Sequence, residues 1–405
     1  MENSKQRSLR ALDALNFSNA GILTGLGPFV SIFYTSARHW NPEQIGVLIG
    51  SQSVAGIVAQ PWVGKFVDET RQKRLVTAGS AALVTLCAIS IAIFESYPAQ
   101  LFVQLTLGLA LTVIPAVTSA FALGLSDAGQ ATGRVARNET LEHTGNMAFA
   151  LVAGLAGALG DLQWIFYVAA LFSGGMLASV LFIREDDVSY ERSRSGDVED
   201  NQNTARPAGW HELFQDRRVL AFTFAALLFN ISNGATLPLI GELLSQNHNS
   251  QGQGAAGDIA AAMLVAEAVM IGAAWYTGKK ADTLGRKPLF LAAFAFLAVR
   301  NGFSVLSHNP NYLIALQAFE GLAAAICGVL ITLISADLAK GTGRFNFLQG
   351  SVQSAMGFGS LLSNSIFGAI AKSYSFNASF LGLAAVALVG GASVQLRLPE
   401  TKSQK

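Results

Sequence analysis

Four polar residues in this chain fall on one stripe of a helix. Glu139, Glu142, His143 and Asn146 lie three and four positions apart, the spacing of one helical face. His143 lies about nine residues inside its apolar run, so an imidazole there can pair with a carboxylate at matching depth on another helix. Desolvation pushes both groups toward their neutral forms, which suits them to exchanging a proton. Glu267 lies at a similar depth in a separate apolar run. His143, Glu142 and Glu267 are therefore the expected proton carriers. The alternative is a static hydrogen-bonded pair, with Glu139 and Glu142 reaching toward the surface. Arg300 and Glu320 form a second expected pair, read as a structural ion pair. An inward-pointing Arg300 would instead favour an anionic ligand. Amides and one carboxylate make up the third set. Asp13, Asn16 and Asn19 recur at period three, Asn230 and Asn233 repeat the asparagines, and Gln104 has a counterpart in Gln317. Such groups suit hydrogen bonding to a neutral or weakly charged organic solute, or interhelical contacts of modest strength.

The sequence states much of this twice. Gly64-Lys65-Phe66-Val67-Asp68 recurs 214 residues later as Gly278-Lys279-Lys280-Ala281-Asp282, and Asn16 and Asn19 map onto Asn230 and Asn233 at the same offset. Gln104 and Gly108 match Gln317 and Gly321. Asp127 with Arg134 matches Asp337 with Arg344, seven residues apart in both copies. A duplicated half of about 200 residues follows, as in many membrane transport proteins.

Composition supplies the solvent. The chain has 405 residues, of which 51% are hydrophobic and 13% charged. Soluble domains carry about 25% charged residues. Twelve apolar segments are long enough to cross a bilayer: 10–34, 44–66, 74–95, 99–126, 136–159, 162–183, 219–244, 256–277, 288–307, 311–336, 345–371 and 376–396. No stretch alternates with the period of a barrel strand. The expected fold is an all-α polytopic membrane protein, twelve transmembrane helices in two pseudo-symmetric six-helix bundles. The bundles are 1–184 and 218–405, with a cytoplasmic linker over 185–217. That linker is charged and Ser/Asn-rich over Glu185–Arg206 and is expected to be flexible. Trp210–Phe214 is expected to form a short interfacial helix.

Loop charge sets the orientation. One set of loops and termini carries 24 of the 27 lysines and arginines, the opposite loops carry Arg38 and Lys372, and Arg300 lies inside a span. Both termini are thus expected in the cytoplasm. A bacterial inner membrane is the expected location. The two cysteines, Cys87 and Cys327, lie in apolar runs and read as buried thiols.

On these residues the chain resembles the major facilitator superfamily. Its loop pattern is Gly-x-x-x-Asp-x-x-Gly-Arg-Lys/Arg. The second copy fits throughout, with Gly278, Asp282, Gly285, Arg286 and Lys287. The first keeps Gly64 and Asp68 but has Arg71 where Gly belongs and Gln72 where Arg belongs, with Lys73 and Arg74 following. The resemblance implies that spans 1, 4, 7 and 10 line a central cavity and that spans 2, 5, 8 and 11 form the seam between halves. Asp13 and the amides Asn16, Asn19, Gln104, Asn230, Asn233 and Gln317 would then face the substrate. Gly64, Asp68, Arg71, Arg74, Asp127, Arg134, Gly278, Asp282, Gly285, Arg286, Lys287, Asp337 and Arg344 would form a cytoplasmic gate. The better fit of the second loop predicts that Asp282 matters more than Asp68.

The expected function is secondary active transport of a small organic solute by alternating access, coupled to protons, with efflux of a drug-like compound or metabolite first. Proton-coupled uptake of a small metabolite or anion is the alternative. A non-transporting receptor that keeps the carrier fold is the rival of a different class. The sequence carries no Gly-rich phosphate loop with Lys-Ser/Thr and no metal-ligand spacing among its histidines. No enzyme activity, cofactor or metal is expected, and a net charge of +1 gives no reason to expect nucleic acid. The expected partners are solute, coupling ion and lipid, with the chain a monomer.

Overall fold

The computed structural model describes residues 2–23, 30, 33–127, 129–159, 161–195, 209–247 and 253–401. Among them every long element is a helix. The first six are α1 (Glu2–Leu23), α2 (Pro42–Glu69), α3 (Lys73–Ile93), α4 (Tyr97–Leu125), α5 (Ala131–Leu159) and α6 (Trp164–Leu181). Two short helices follow, α7 (Tyr190–Ser195) and α8 (Trp210–Gln215). The rest are α9 (Arg217–Asn233), α10 (Thr236–Asn247), α11 (Gln253–Leu284), α12 (Arg286–Phe303), α13 (Pro310–Leu338), α14 (Phe345–Ser373) and α15 (Phe376–Arg397). With α9 and α10 making one span, this is the all-α membrane architecture of two six-helix bundles. Eight helical segments among the described residues are long and apolar enough to cross a membrane by composition alone.

Local sequence explains the helix ends. Asn41 accepts from the Gln44 amide while the Gln44 side chain accepts from the Asn41 amide, a reciprocal cap before Pro42. Asp216 accepts from the Arg218 amide and starts α9. Large apolar side chains such as Trp62, Phe102, Leu171 and Leu388 remain exposed. Large apolar side chains exposed on helices are what helices facing lipid present.

Two compact units divide the chain: Met1–Pro207 with Ala339–Gly350, and Ala208–Leu338 with Ser351–Lys405. Within the first, α2 packs along α4, α3 along α6, and α1 along α5 and α6. Within the second, α11 packs along α13, α12 along α15, and α9 along α15. The repeat therefore extends from sequence to packing. It reaches single backbone contacts. A Cβ on Gly108 would lie 2.3 Å from the Gln52 carbonyl oxygen, and one on Gly321 would lie 2.5 Å from that of Ala266. Gln52 and Ala266 are again 214 residues apart. Only glycine lets these backbones approach so closely.

Two expectations need correction. The seventh span is not one helix: it turns at Gly234 and Ala235 between α9 and α10. Side chains from neighbouring helices satisfy the opened backbone. Ser363 accepts from the Ala235 amide and donates to the Ile231 carbonyl, and Asn301 donates to the Ser232 carbonyl. Nor is the start of the linker loose. Asp187 accepts from Ser4 and Ser8, the Ser189 amide donates to the Gly124 carbonyl, and Ser193 is buried. These bonds hold Glu185–Ser195 on the first unit. Residues 196–208 of the linker, and 24–29, 31 and 32 of the first span, lie outside the described residues. A short helix is present over Trp210–Gln215, as the sequence suggests. Cys87 and Cys327 are buried and form no disulfide among the described residues.

Candidate functional site

Asp68 is the most committed acid at the charged end of the first unit. It sits in the last turn of α2 and is 1% exposed. Its Oδ1 accepts from the Asn346 amide at 3.0 Å and the Asn346 carboxamide at 2.8 Å, and its Oδ2 accepts from the Phe347 amide at 2.9 Å. Those amides belong to the first turn of α14. A carboxylate there satisfies orphan N–H groups and complements the positive end of the helix dipole. Gly64, one turn earlier, makes the approach feasible: a Cβ there would lie 2.1 Å from the Asn346 carbonyl oxygen. Lys73 closes the loop by donating to the Val67 and Thr70 carbonyls.

The second copy is built differently. Asp282 is 47% exposed at its side chain and pairs with Arg286 at 2.8 Å. Arg286 is buried, reaches Asp337 at 3.3 Å and donates to the Ala281 carbonyl. The first turn of α12 is capped by Glu400, which accepts from the Arg286 and Lys287 amides at 2.8 and 3.1 Å. Lys287 donates to the Gln395 carbonyl.

The other expected gate residues also find partners. Arg344 pairs with Glu69 at 2.8 Å, and Asp127 with Lys5 at 2.5 Å. The hydrogen bond from Lys5 holds the Asp127 carboxyl below its usual range. Arg71 lies over the Tyr190 ring at 4.9 Å, with Lys73 at 5.1 Å and Arg194 at 4.7 Å from the same ring. The Tyr190 hydroxyl donates to the Asp68 and Glu69 carbonyls, and Asn346 donates to the Ser193 carbonyl. So α7 is part of this end, which the sequence did not indicate.

The amides separate into two kinds. Asp13, read as a cavity residue, is instead joined to Arg134 at 2.6 Å and Arg137 at 2.7 Å, both near the start of α5. Helix α1 begins at Glu2, earlier than the predicted span, which sets Asp13 level with those arginines. Asn16 donates to the Leu12 carbonyl and Gln317 to the Leu313 carbonyl, each one turn back on its own helix. Gln104 donates to the Tyr34 hydroxyl, which donates to Gln100. Asn233 donates to Glu320 at 2.8 Å. Asn230 lies at the end of α9, where its carbonyl accepts from the Gly234 amide.

Arg300 and Glu320 meet, as expected. Arg300 is 1% exposed and donates to Glu320 and to the Asn301 carboxamide oxygen. Thr236, just past the turn in the seventh span, donates to that same oxygen. His143 lies 3.9 Å from Glu139 on its own helix. The missed residues are Tyr34, Gln100, Asn301, Thr236, Asn346 and Glu400. Gln100 and Gln104 share a face at a spacing of four, and Asn301 adjoins Arg300, so both carried a signal.

Relatives and solved structures bear on the fold and the family. The sequence model of the Major Facilitator Superfamily matches residues 12–299 and 243–405. Two uncharacterized MFS-type transporters, from two strains of Mycobacterium tuberculosis, are each 34% identical over 401 residues, covering 98% of this chain and 94% of the relative. The proton:xylose symporter XylE, bound to 6-bromo-6-deoxy-D-glucose, superposes with a TM-score of 0.74 at 13% identity, over 98% of this chain and 96% of its own. The human organic anion transporter MFSD10 (TETRAN) gives 0.72 at 16% identity, over 96% and 99%. At such identities the solved structures speak for the fold alone. The family model and the 34% relatives, which span nearly the whole chain, place this protein in the major facilitator superfamily.

Proposed function

We propose that this transporter moves a small organic solute by alternating access, with protons as the coupling ion and efflux as the direction. The observation that carries the reading is the Asp68 contact with the first turn of α14. A carboxylate buried against the first amides of a helix makes directional bonds that can be broken and remade, and a conformational cycle needs such bonds. A static receptor has no evident use for it. Asp13, with Arg134 and Arg137, is proposed to brace α1 against α5. The remaining amides, on α1, α4, α9 and α13, are proposed to face the solute.

His143, Glu142 and Glu267 are proposed to carry the proton, with Glu139 beside His143 as a charge partner. Orientation is proposed from loop charge, with both termini in the cytoplasm of a bacterial cell and the chain in its inner membrane. The test is solute counterflow in proteoliposomes against a compound panel, with a pH gradient added afterwards. The carrier reading expects one or more solutes to exchange. The coupling reading expects Glu267→Gln to keep counterflow while losing pH-driven accumulation. Full accumulation by both Glu267→Gln and His143→Gln would move the coupling site elsewhere.

A further inference from the structure

The second unit carries a groove that the proposed transport cycle does not use. It lies between α9 and α15, which pack along each other. Arg217, Leu220, Ala221, Phe224 and Arg397 line it, and its volume is about 620 Å³. All five residues belong to the same compact unit. Leu220, Ala221 and Phe224 follow Arg217 by three, four and seven residues, so the four share one face of α9. Seven residues of helix cover about 10 Å.

The groove has a charged mouth and an apolar floor. Arg217 opens one membrane-length apolar segment and Arg397 closes another. Lining one groove, the two cations stand at the same membrane boundary. Both are exposed, and neither makes a hydrogen bond, ion pair or ring contact among the described residues. The charges around them are committed elsewhere. Arg218 pairs with Asp216, Lys287 donates to the Gln395 carbonyl, and Glu400 accepts from the Arg286 amide. The floor is left bare as well, with Leu220 50% and Phe224 42% exposed.

We infer that this groove binds an anionic phospholipid, its phosphate held by Arg217 and Arg397 and an acyl chain laid along Leu220, Ala221 and Phe224. Guanidinium forks match phosphate oxygens, and basic pockets between spans recognise anionic headgroups. The apolar floor decides for a lipid over a soluble anion, which would use the arginines and leave about 10 Å of apolar helix face uncovered. A zwitterionic lipid brings its own cation toward the two arginines and fits less well. Under the orientation proposed above, the lipid belongs to the inner leaflet. The site itself does not depend on the carrier reading.

The test titrates purified full-length protein in detergent with dioleoyl phosphatidylglycerol, dioleoyl phosphatidylcholine and glycerol 3-phosphate. The lipids share their chains and differ in headgroup charge, and the third probe has the phosphate without chains. A ligand that binds only the folded protein raises Tm with concentration. Phosphatidylglycerol is expected to raise Tm most, phosphatidylcholine less and glycerol 3-phosphate not at all. Each basic residue near the surface changes anionic-lipid affinity about fivefold. Arg397→Gln is therefore expected to weaken phosphatidylglycerol about fivefold, and Arg217→Gln with Arg397→Gln to bring it level with phosphatidylcholine. Phe224→Ala is expected to weaken both lipids and keep the difference between them. Lys279→Gln with Lys280→Gln removes equal charge from another exposed part of the unit and is expected to keep the lipid response. The inference is overturned by equal responses to the two lipids, by glycerol 3-phosphate matching phosphatidylglycerol, or by no response to any probe. Arginine variants that keep the preference, or a lysine variant that loses it as fully, overturn it too.

Discussion

The two copies of the repeated loop use the same residue types for opposite purposes. In the second, which matches the family pattern at every position, the charges bond to one another, to α13 and to the C-terminal tail. Arg286 gathers Asp282, Asp337 and the Ala281 carbonyl, and Glu400 caps α12. In the first, which departs from the pattern at Arg71 and Gln72, the aspartate is buried and spends all three of its bonds on the start of a distant helix. Agreement with a motif measures how well a loop is conserved in type. It does not measure how much of its hydrogen bonding leaves the loop. The geometry argues for the opposite ranking, with Asp68 ahead of Asp282.

Asp68→Asn offers the largest test of that reversal. An amide keeps one acceptor oxygen and turns an NH2 group toward donors, so at least one α14 amide loses its partner. Bonds to a charged acceptor contribute about 1.5–3 kcal/mol each. Counterflow of the transported solute is expected to fall about tenfold or more, with membrane insertion intact. Asp282→Asn removes a half-exposed ion pair of small net value and should cost less than about threefold. Equal losses in the two variants would restore the expectation from the motif.

Gly64→Ala comes next and attacks the same contact through shape. The added Cβ meets the Asn346 carbonyl at 2.1 Å, and a backbone atom cannot swing aside as a side chain can. The start of α14 has to move off Asp68. We expect a transport loss approaching that of Asp68→Asn. A variant with unchanged counterflow would show that the close approach is dispensable for the cycle.

How much of this was legible depended on the range of the interaction. Twelve spans, the duplicated half and the Arg300–Glu320 pair could be read because apolar length, fixed offsets and the cost of a lone buried charge are properties of the chain itself. The turn at Gly234 was not. Apolar content runs through it unbroken, and it is stabilised by Ser363 and Asn301, residues far away in sequence. Asp68 was found as a site residue but its partner was not, because backbone amides of a helix start carry no sequence signature. Asp13 looked like a cavity residue by its period with Asn16 and Asn19. Two arginines from α5, far away in sequence, pair with its carboxylate. The seating of α7 on the first unit was hidden by composition: Glu185–Arg206 reads as a solvated linker, yet Ser4, Ser8 and Gly124 supply partners for its beginning.

Glu400→Ala examines the second loop on its own terms. Glu400 accepts from two amides in the first turn of α12, the work of a cap supplied from the C-terminal tail. Losing a cap costs about 1 kcal/mol. The variant is expected to melt a few degrees lower in detergent while transporting at close to the normal rate. If transport instead fell as far as in Asp68→Asn, the second loop would share the gating role and the contrast between copies would fail.

The smallest effect is expected from repairing the first loop. Arg71→Gly with Gln72→Arg would give it the family pattern found in the second. Were the pattern itself the source of function, the repaired protein should transport faster. The geometry argues otherwise. Arg71 lies over Tyr190, whose hydroxyl donates to the Asp68 and Glu69 carbonyls, so the departure from the pattern helps seat α7 beside the aspartate. An exposed cation–π contact is worth about 0.5–1 kcal/mol, and Lys73 and Arg194 remain on the same ring. Counterflow is expected to hold within about twofold of the parent, with Tm slightly lower. A clear gain in rate would show that Arg71 and Gln72 are a defect in the first loop. A slight loss would show that this loop traded the motif's arginine for a contact of its own.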